Sequence, residues 1–210
     1  MNMTTAMIKA LLLTAAVGHI ICQRCDWLIT CTPNGRFDFH ALDDNEKLSR
    51  LFDGTPEKNS LISMLLGTAA LAMSLFGFIG IYEWMKQFSA VYSAVIIVSA
   101  VLFTVVGTGH HIFCGAVEWI YIKLSRTEDA RKLILDLFKK TSVTMYVCYL
   151  GLLVFAVTFF IAVVSGATEL PRWCCIFNTL PIFIVLSPFR IVGTGNVANA
   201  IMFLGLFFAI

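Results

Sequence analysis

The strongest constraint on this chain is a succession of apolar runs, each near the length that a bilayer demands of a helix. Crossing the hydrocarbon core takes about 20 consecutive apolar residues. Such runs fall at about residues 5–27, 60–84, 90–121, 142–164, 172–192 and 196–210. Apolar residues make up 59% of the chain and charged residues 13%, too few to cover a soluble domain with a wetted surface. The expected fold is therefore all-α: a polytopic transmembrane helix bundle with six spans. It forms one domain over residues 1–210, with soluble loops at 28–59 and 122–141. Lys9 and the following Ala10–Ala16 imitate a signal peptide, but the apolar run continues through Ile20 and Ile21, so a retained first helix is expected.

Charge sets the expected orientation. With six spans, Lys9, Lys86 and Arg172 lie on the side of both termini, and the other twelve Lys and Arg residues lie opposite. The positive-inside rule then places the two long loops in the cytoplasm and both termini outside. In the second loop, Ser125 and Glu128 have capping-box spacing, and Ile134, Leu137 and Phe138 share one face. That pattern predicts an interfacial amphipathic helix. Pro181 and Pro188 should bend the fifth helix, because each removes a backbone donor.

Composition also excludes some functions. Net charge is +2 with no basic stretch unmixed with acids, which argues against nucleic acid and leaves membrane lipids as the expected partners. No Gly-rich phosphate loop precedes a suitable helix, so a soluble nucleotide-binding enzyme is excluded. Seven cysteines scattered through apolar helices do not make a secreted disulfide framework. Cys22-Gln23-Arg24-Cys25 has redox spacing, but charge bias assigns it to the reducing side and no shuttle pair stands opposite.

Ionisable residues inside spans are costly and mark function by default. Gly18-His19-Ile20-Ile21-Cys22-Gln23-Arg24-Cys25-Asp26-Trp27 ends the first helix, and His110-His111-Ile112-Phe113-Cys114-Gly115-Ala116-Val117-Glu118-Trp119 ends the third. The two pieces share His, Ile, Cys and Trp in register, with Asp answering Glu, which suggests an internal repeat of helices one and two in three and four. Positions i, i+3 and i+7 share a helix face. His19, Cys22 and Asp26 thus form one polar stripe, and His111, Cys114 and Glu118 another. A set of His19, Cys22, His111 and Cys114 could hold a zinc-like divalent metal. Alternatively His19 with Asp26, and His111 with Glu118, are candidate acid–base pairs. Tyr146, Arg190, Asn196 and Asn199 fall on the same side and are candidate substrate contacts, and the start of the sixth helix could present donors to an anionic group. Trp27, Trp84 and Trp119 read as interface-belt residues.

Pro171-Arg172-Trp173, Asn178, Pro181 and Gly195-Asn196-Val197-Ala198-Asn199 precede a last apolar helix. Together with Gly18-His19 and the histidine of the third helix, this pattern resembles a family of bacterial multi-pass inner-membrane proteins of unknown function. There a Pro-Arg-Trp opens the penultimate helix and an Asn follows within it, while the first helix usually carries Gly-Asp where this chain has Gly18-His19. The resemblance implies a six-helix inner-membrane protein and supplies no activity.

Three function classes follow. The first is a membrane-embedded enzyme or binder acting on a lipophilic molecule from the cytoplasmic leaflet. The second is a small transporter of protons, metal ions or a solute, disfavoured because the outer halves of the helices are nearly free of charge. The third is a non-catalytic membrane subunit whose loops dock a partner.

Overall fold

Along one helix, Ser60, Ser63, Gly67, Ala70, Ser74 and Gly77 recur at intervals of three and four residues, and all six are buried. Small residues at this spacing let neighbouring backbones approach closely where lipid offers no hydrophobic drive. In the computed structural model, which describes residues 3–210, this helix is the central post of the bundle. It is α3, Glu57–Met85, and it packs most extensively on α1, Thr5–Thr30, capped by Thr4. At that contact a Cβ on Gly18 would lie 2.6 Å from the Ala70 carbonyl oxygen, and one on Gly77 would lie 2.3 Å from the Ala15 Cβ.

Between them lies a polar excursion. A two-residue hairpin pairs Cys31–Thr32 (β1) with Gly35–Arg36 (β2) through the Pro33-Asn34 turn, and α2 follows at Asn45–Leu51, capped by Asp44. After α3, a single 34-residue helix runs from Ala90 to Lys123. It comprises α4 (Ala90–Val101), a π-helical segment (Leu102–Val106) and α5 (Gly107–Lys123). Next come α6 (Glu128–Thr141) and α7 (Val143–Val164). The cap of α6 is Thr127, whose side chain accepts from the Ala130 N–H; Ser125 instead sits in the turn with φ of 58°. The capping-box expectation for Ser125 is corrected accordingly.

The region expected as one helix over 172–192 is broken. Arg172–Phe177 is a 3-10 turn, α8 covers only Thr179–Leu186, and Ser187–Phe189 is a second 3-10 turn. Asn178 ends the first turn and caps α8 with its own side chain, so the chain restarts there. Pro188 stands inside the second 3-10 turn, where its missing N–H costs least. Finally α9 covers Thr194–Ala209. The architecture is all-α apart from the tiny hairpin. Four helices, beginning at Thr5, Glu57, Ala90 and Glu128, are long and apolar enough to cross a membrane, and α8 with its following turn and α9 are shorter apolar helices.

Two cores result. At the bundle centre Phe78 meets Phe103, Phe155 and Phe203 edge-on, with ring centroids 4.7–5.8 Å apart. Trp84 belongs to this core rather than to an interface belt: it is 2% exposed, and its indole N–H reaches Glu169 at 3.3 Å. The second core joins the two long loops. Leu48 and Phe52 pack on Tyr121, Ala130 and Ile134. Tyr121 donates to the Asn45 side chain at 2.8 Å, Arg126 pairs with Asp53 at 2.8 Å, and Arg131 donates to the Leu42 carbonyl at 2.7 Å. Hence the apolar face of α6 covers protein: Ala130 and Ile134 are buried in a cap over one end of the bundle.

Candidate functional site

Cys22 and Asp26 lie one helical turn apart on α1 and face the same way. Opposite them α5 carries His111, whose ring fills the space beside Gly67 of α3; a Cβ there would sit 2.1 Å from His111 Nε2. The start of α9 adds Asn196. These three helices converge because α1 and α5 both seat on the small-residue stripe of α3 while α9 lies against α1. The link before α9 is tied down too: Gln23 donates to the Val192 carbonyl at 3.2 Å, and Gly193 has φ of 66° beside Asp26. A Cβ on Gly193 would come within 2.8 Å of Asp26 Oδ2, so both conformation and space require glycine there.

The hydrogen bonds fix one another's direction. A carboxylate only accepts, so Asn196 Nδ2 donates to Asp26 Oδ2 at 2.8 Å. That turns Asn196 Oδ1 toward His19, whose Nδ1 must then donate to it at 2.8 Å. On the other side, His111 Nε2 stands 3.0 Å from the Ser63 carbonyl oxygen, which can only accept, so Nε2 carries a hydrogen. His111 Nδ1 faces Asp26 Oδ1 at 3.5 Å. Ser63 Oγ donates to the Cys25 carbonyl at 3.0 Å, which holds α3 to α1 beside the imidazole. A polar relay therefore runs His19, Asn196, Asp26, His111, Ser63 across four helices.

This relay forms part of the wall of a cavity of about 740 Å³. Most of the lining is apolar: Phe103 and Leu71 toward the bundle centre, Leu152, Leu153 and Ala156 from α7, and Leu180 and Phe183 from α8. Phe37, Phe39, Leu48 and Phe52 line it from the first loop, and Ile134, Leu135 and Phe138 from α6. The cavity thus lies beneath the cap formed by the two long loops, with a volume in the range of small-molecule sites.

The sequence candidates separate into groups. Asp26, His111 and Asn196 come together, with His19 joined through Asn196. His19 is fully buried, stacked at 5.6 Å on Phe203 and 6.3 Å from Phe103. Its Nε2 has no hydrogen-bond partner among the described residues. Cys114 turns to His110, Sγ to Nε2 at 3.5 Å, and His110 Nδ1 meets Thr144 at 3.3 Å. Glu118 lines the cavity two turns further along α5, buried and with Oε1 unpartnered among the described residues. Tyr146 points outward at 67% exposure, and Tyr149 is the α7 tyrosine that lines the cavity. Arg190 contributes its backbone: its carbonyl accepts from Arg36, in a left-handed turn. Asn199 is buried one turn deeper, accepting from Thr179 at 2.6 Å. Potential metal-ligand atoms within 4.8 Å of one another belong to Cys22, Asp26 and His111, among the described residues. Sequence reasoning missed Ser63 and Gly67, for which the three-and-four spacing of small residues along 60–77 was the available signal, whereas Gly193-Thr194-Gly195 reads from the sequence as a tight turn beside the polar groups.

Fold and site together define a membrane-type helical bundle with a buried polar relay on the wall of a mostly apolar cavity. Among curated proteins and among solved structures, nothing matches the chain. The chain belongs to DUF6796, a family of unknown function, which matches it over residues 1–210.

Proposed function

We propose that this protein is a membrane-embedded binder of a lipophilic molecule, and that the wall formed by Asp26, His111 and Asn196 orients the polar group of that molecule. The supporting observation is the cavity itself. Its volume of about 740 Å³ fits an extended apolar group, and its one polar relay is concentrated at Asp26, His111 and Asn196. An apolar pocket with a few convergent polar groups binds by burial and orients by hydrogen bonding. A through-path for a transported solute has less support, because Phe78, Phe103, Phe155 and Phe203 close the bundle beyond His19.

In this reading the chain crosses a bacterial inner membrane six times, the last two crossings being the short α8 and α9, with both termini outside. The loop cap and the cavity then face the cytoplasmic leaflet, as the charge bias requires. The α7 and α8 residues Leu153 and Phe183 are half-exposed and line the cavity, which offers an entry from the bilayer between those helices.

The experiment is a comparison of lipids that copurify with the detergent-solubilised protein, by extraction and mass spectrometry. The wild type should carry one discrete lipophilic species enriched several-fold over bulk membrane lipid. Leu153→Trp, which fills the cavity from a half-exposed position, should lose it. A lipid profile identical to the bulk membrane in both proteins would refute the reading.

A further inference from the structure

We propose that Cys22, Asp26 and His111 bind one divalent transition-metal ion of the zinc class, with the remaining coordination position open to the cavity. The inference concerns the same wall as the lipophilic pocket but does not rest on what fills that pocket.

Proton placement on His111 is the first argument. Nε2 donates to the Ser63 carbonyl, so in the neutral ring Nδ1 presents a bare lone pair. That lone pair faces a carboxylate oxygen at 3.5 Å, two acceptors that only a cation can join. The arrangement calls for a cation: a proton on the imidazole, or a metal ion between the two groups. Cys22 decides for the metal. Its sulfur joins Asp26 and His111 in a group whose ligand atoms all lie within 4.8 Å, and the thiol is buried at 2% exposure. Sulfur, nitrogen and carboxylate oxygen together suit zinc and its neighbours rather than magnesium or calcium.

Geometry and charge agree. Tetrahedral zinc, with bonds of about 2.0–2.3 Å, holds its ligand atoms about 3.5 Å apart. The three ligand atoms lie within 4.8 Å of one another, so binding draws them together by about an ångström at most, and Cys22 and Asp26 occupy successive turns of one helix. A thiolate and a carboxylate cancel the charge of a divalent ion, so the loaded site is neutral inside the membrane. On binding, the Cys22 thiol proton and any proton on His111 Nδ1 leave to solvent.

The surroundings are those of a built site. Asn196 Nδ2 donates to Asp26 Oδ2, leaving Oδ1 free for the ion, and is itself held by fully buried His19. The Ser63 carbonyl orients His111 as the outer partners of metal-bound histidines do. Cys22, Asp26 and His111 all line the cavity, so a fourth ligand could be water or the polar group of a bound molecule. Cys114 and His19, which sequence spacing had grouped with Cys22 and His111, take other partners.

The test uses the full chain, purified in detergent without chelators and titrated with Zn²⁺ and, separately, Co²⁺. Elemental analysis after desalting should find about one zinc per chain, and Co²⁺ should give a thiolate-to-cobalt charge-transfer band in the near ultraviolet. Cys22→Ser should abolish that band, while Cys31→Ser should retain it. Asn196→Ala should weaken affinity about 10- to 100-fold with the band intact, the signature of a positioning residue. If Cys22→Ser does not fold, protection of Cys22 from maleimide by Zn²⁺ in the wild type gives the same information by peptide mass spectrometry. Absence of saturable metal binding by the folded protein, or a cobalt band that survives in folded Cys22→Ser, would overturn the proposal. Metal binding without a copurifying lipophile would leave this site standing and the pocket reading fallen.

Discussion

Gly67 and His111 occupy one space between them. The imidazole lies where any Cβ on residue 67 would stand, 2.1 Å from Nε2, so the ring reaches the Ser63 carbonyl only because the seam of α3 is bare there. Gly67→Ala should therefore push His111 out of the relay. The expected cost is about 1–3 kcal/mol of stability from overpacking, with loss of cobalt binding, both measurable in one detergent-solubilised sample by thermal unfolding and titration. Asn196→Leu is a different probe at the same scale. It keeps the branched shape but leaves His19 Nδ1 buried without its acceptor and removes the donor to Asp26 Oδ2. Each unsatisfied group costs about 1–3 kcal/mol, so a lowered melting temperature with unchanged helix content is expected. The candidates Asp26 and His111 were legible in the sequence because ionisable side chains stand out in apolar runs. Ser63 and Gly67 were not, since a serine or glycine in a membrane helix is ordinary until its neighbour is known.

At the scale of elements, the π-helical segment Leu102–Val106 sets where α5 points. One residue more per turn than an α-helix rotates everything after it, and such segments gather at functional sites. It brings Phe103 onto His19 and lets His111 face α3. Deleting Val105, an exposed residue of the segment, should remove the wide turn and leave α5 facing as before, because four α-helical residues turn the chain through about the same angle as five π-helical ones. Far-ultraviolet circular dichroism and cobalt binding should then both stay near the wild-type values; lost binding in a folded deletion variant would mean that the extra residue is itself needed to shape the site. Nothing in Leu-Phe-Thr-Val-Val announces a π turn, because it arises from packing against α7, where Gly151 lets the backbone approach Ser99 and Phe103. The break at Asn178 was half legible: the prolines signalled distortion, but the full restart depends on Asn178 capping α8 and donating to the Ala156 carbonyl at 2.9 Å on α7.

Over the whole molecule, the two long loops act as one cap. Asn45, Asp53, Tyr121, Arg126 and Arg131 tie them together over the cavity, so both must lie on the same side of a membrane. On the proposed inner-membrane orientation, a membrane-impermeant maleimide should label Asp43→Cys and Asp129→Cys only after that membrane is opened, above the background of the native cysteines. Ser165→Cys, at the opposite end of α7, should be labelled in intact spheroplasts; the reverse pattern would invert the proposed orientation. By itself the sequence determined the helical, membrane-type character of the chain, the positions of the first three long helices and of α7 to within a few residues, and the end of the bundle where polar groups gather. Those follow from hydropathy and charge, which act locally and accumulate along the chain. Which of the polar groups meet was decided only in three dimensions. Cys22 and Asp26 meet His111, and His19 turns to Asn196, because partners 85 to 177 residues apart are selected by helix rotation, close approach at glycine and a π turn, while Cys114 turns to His110 one turn away on its own helix. Those are properties of packed surfaces, and no single stretch of sequence carries them.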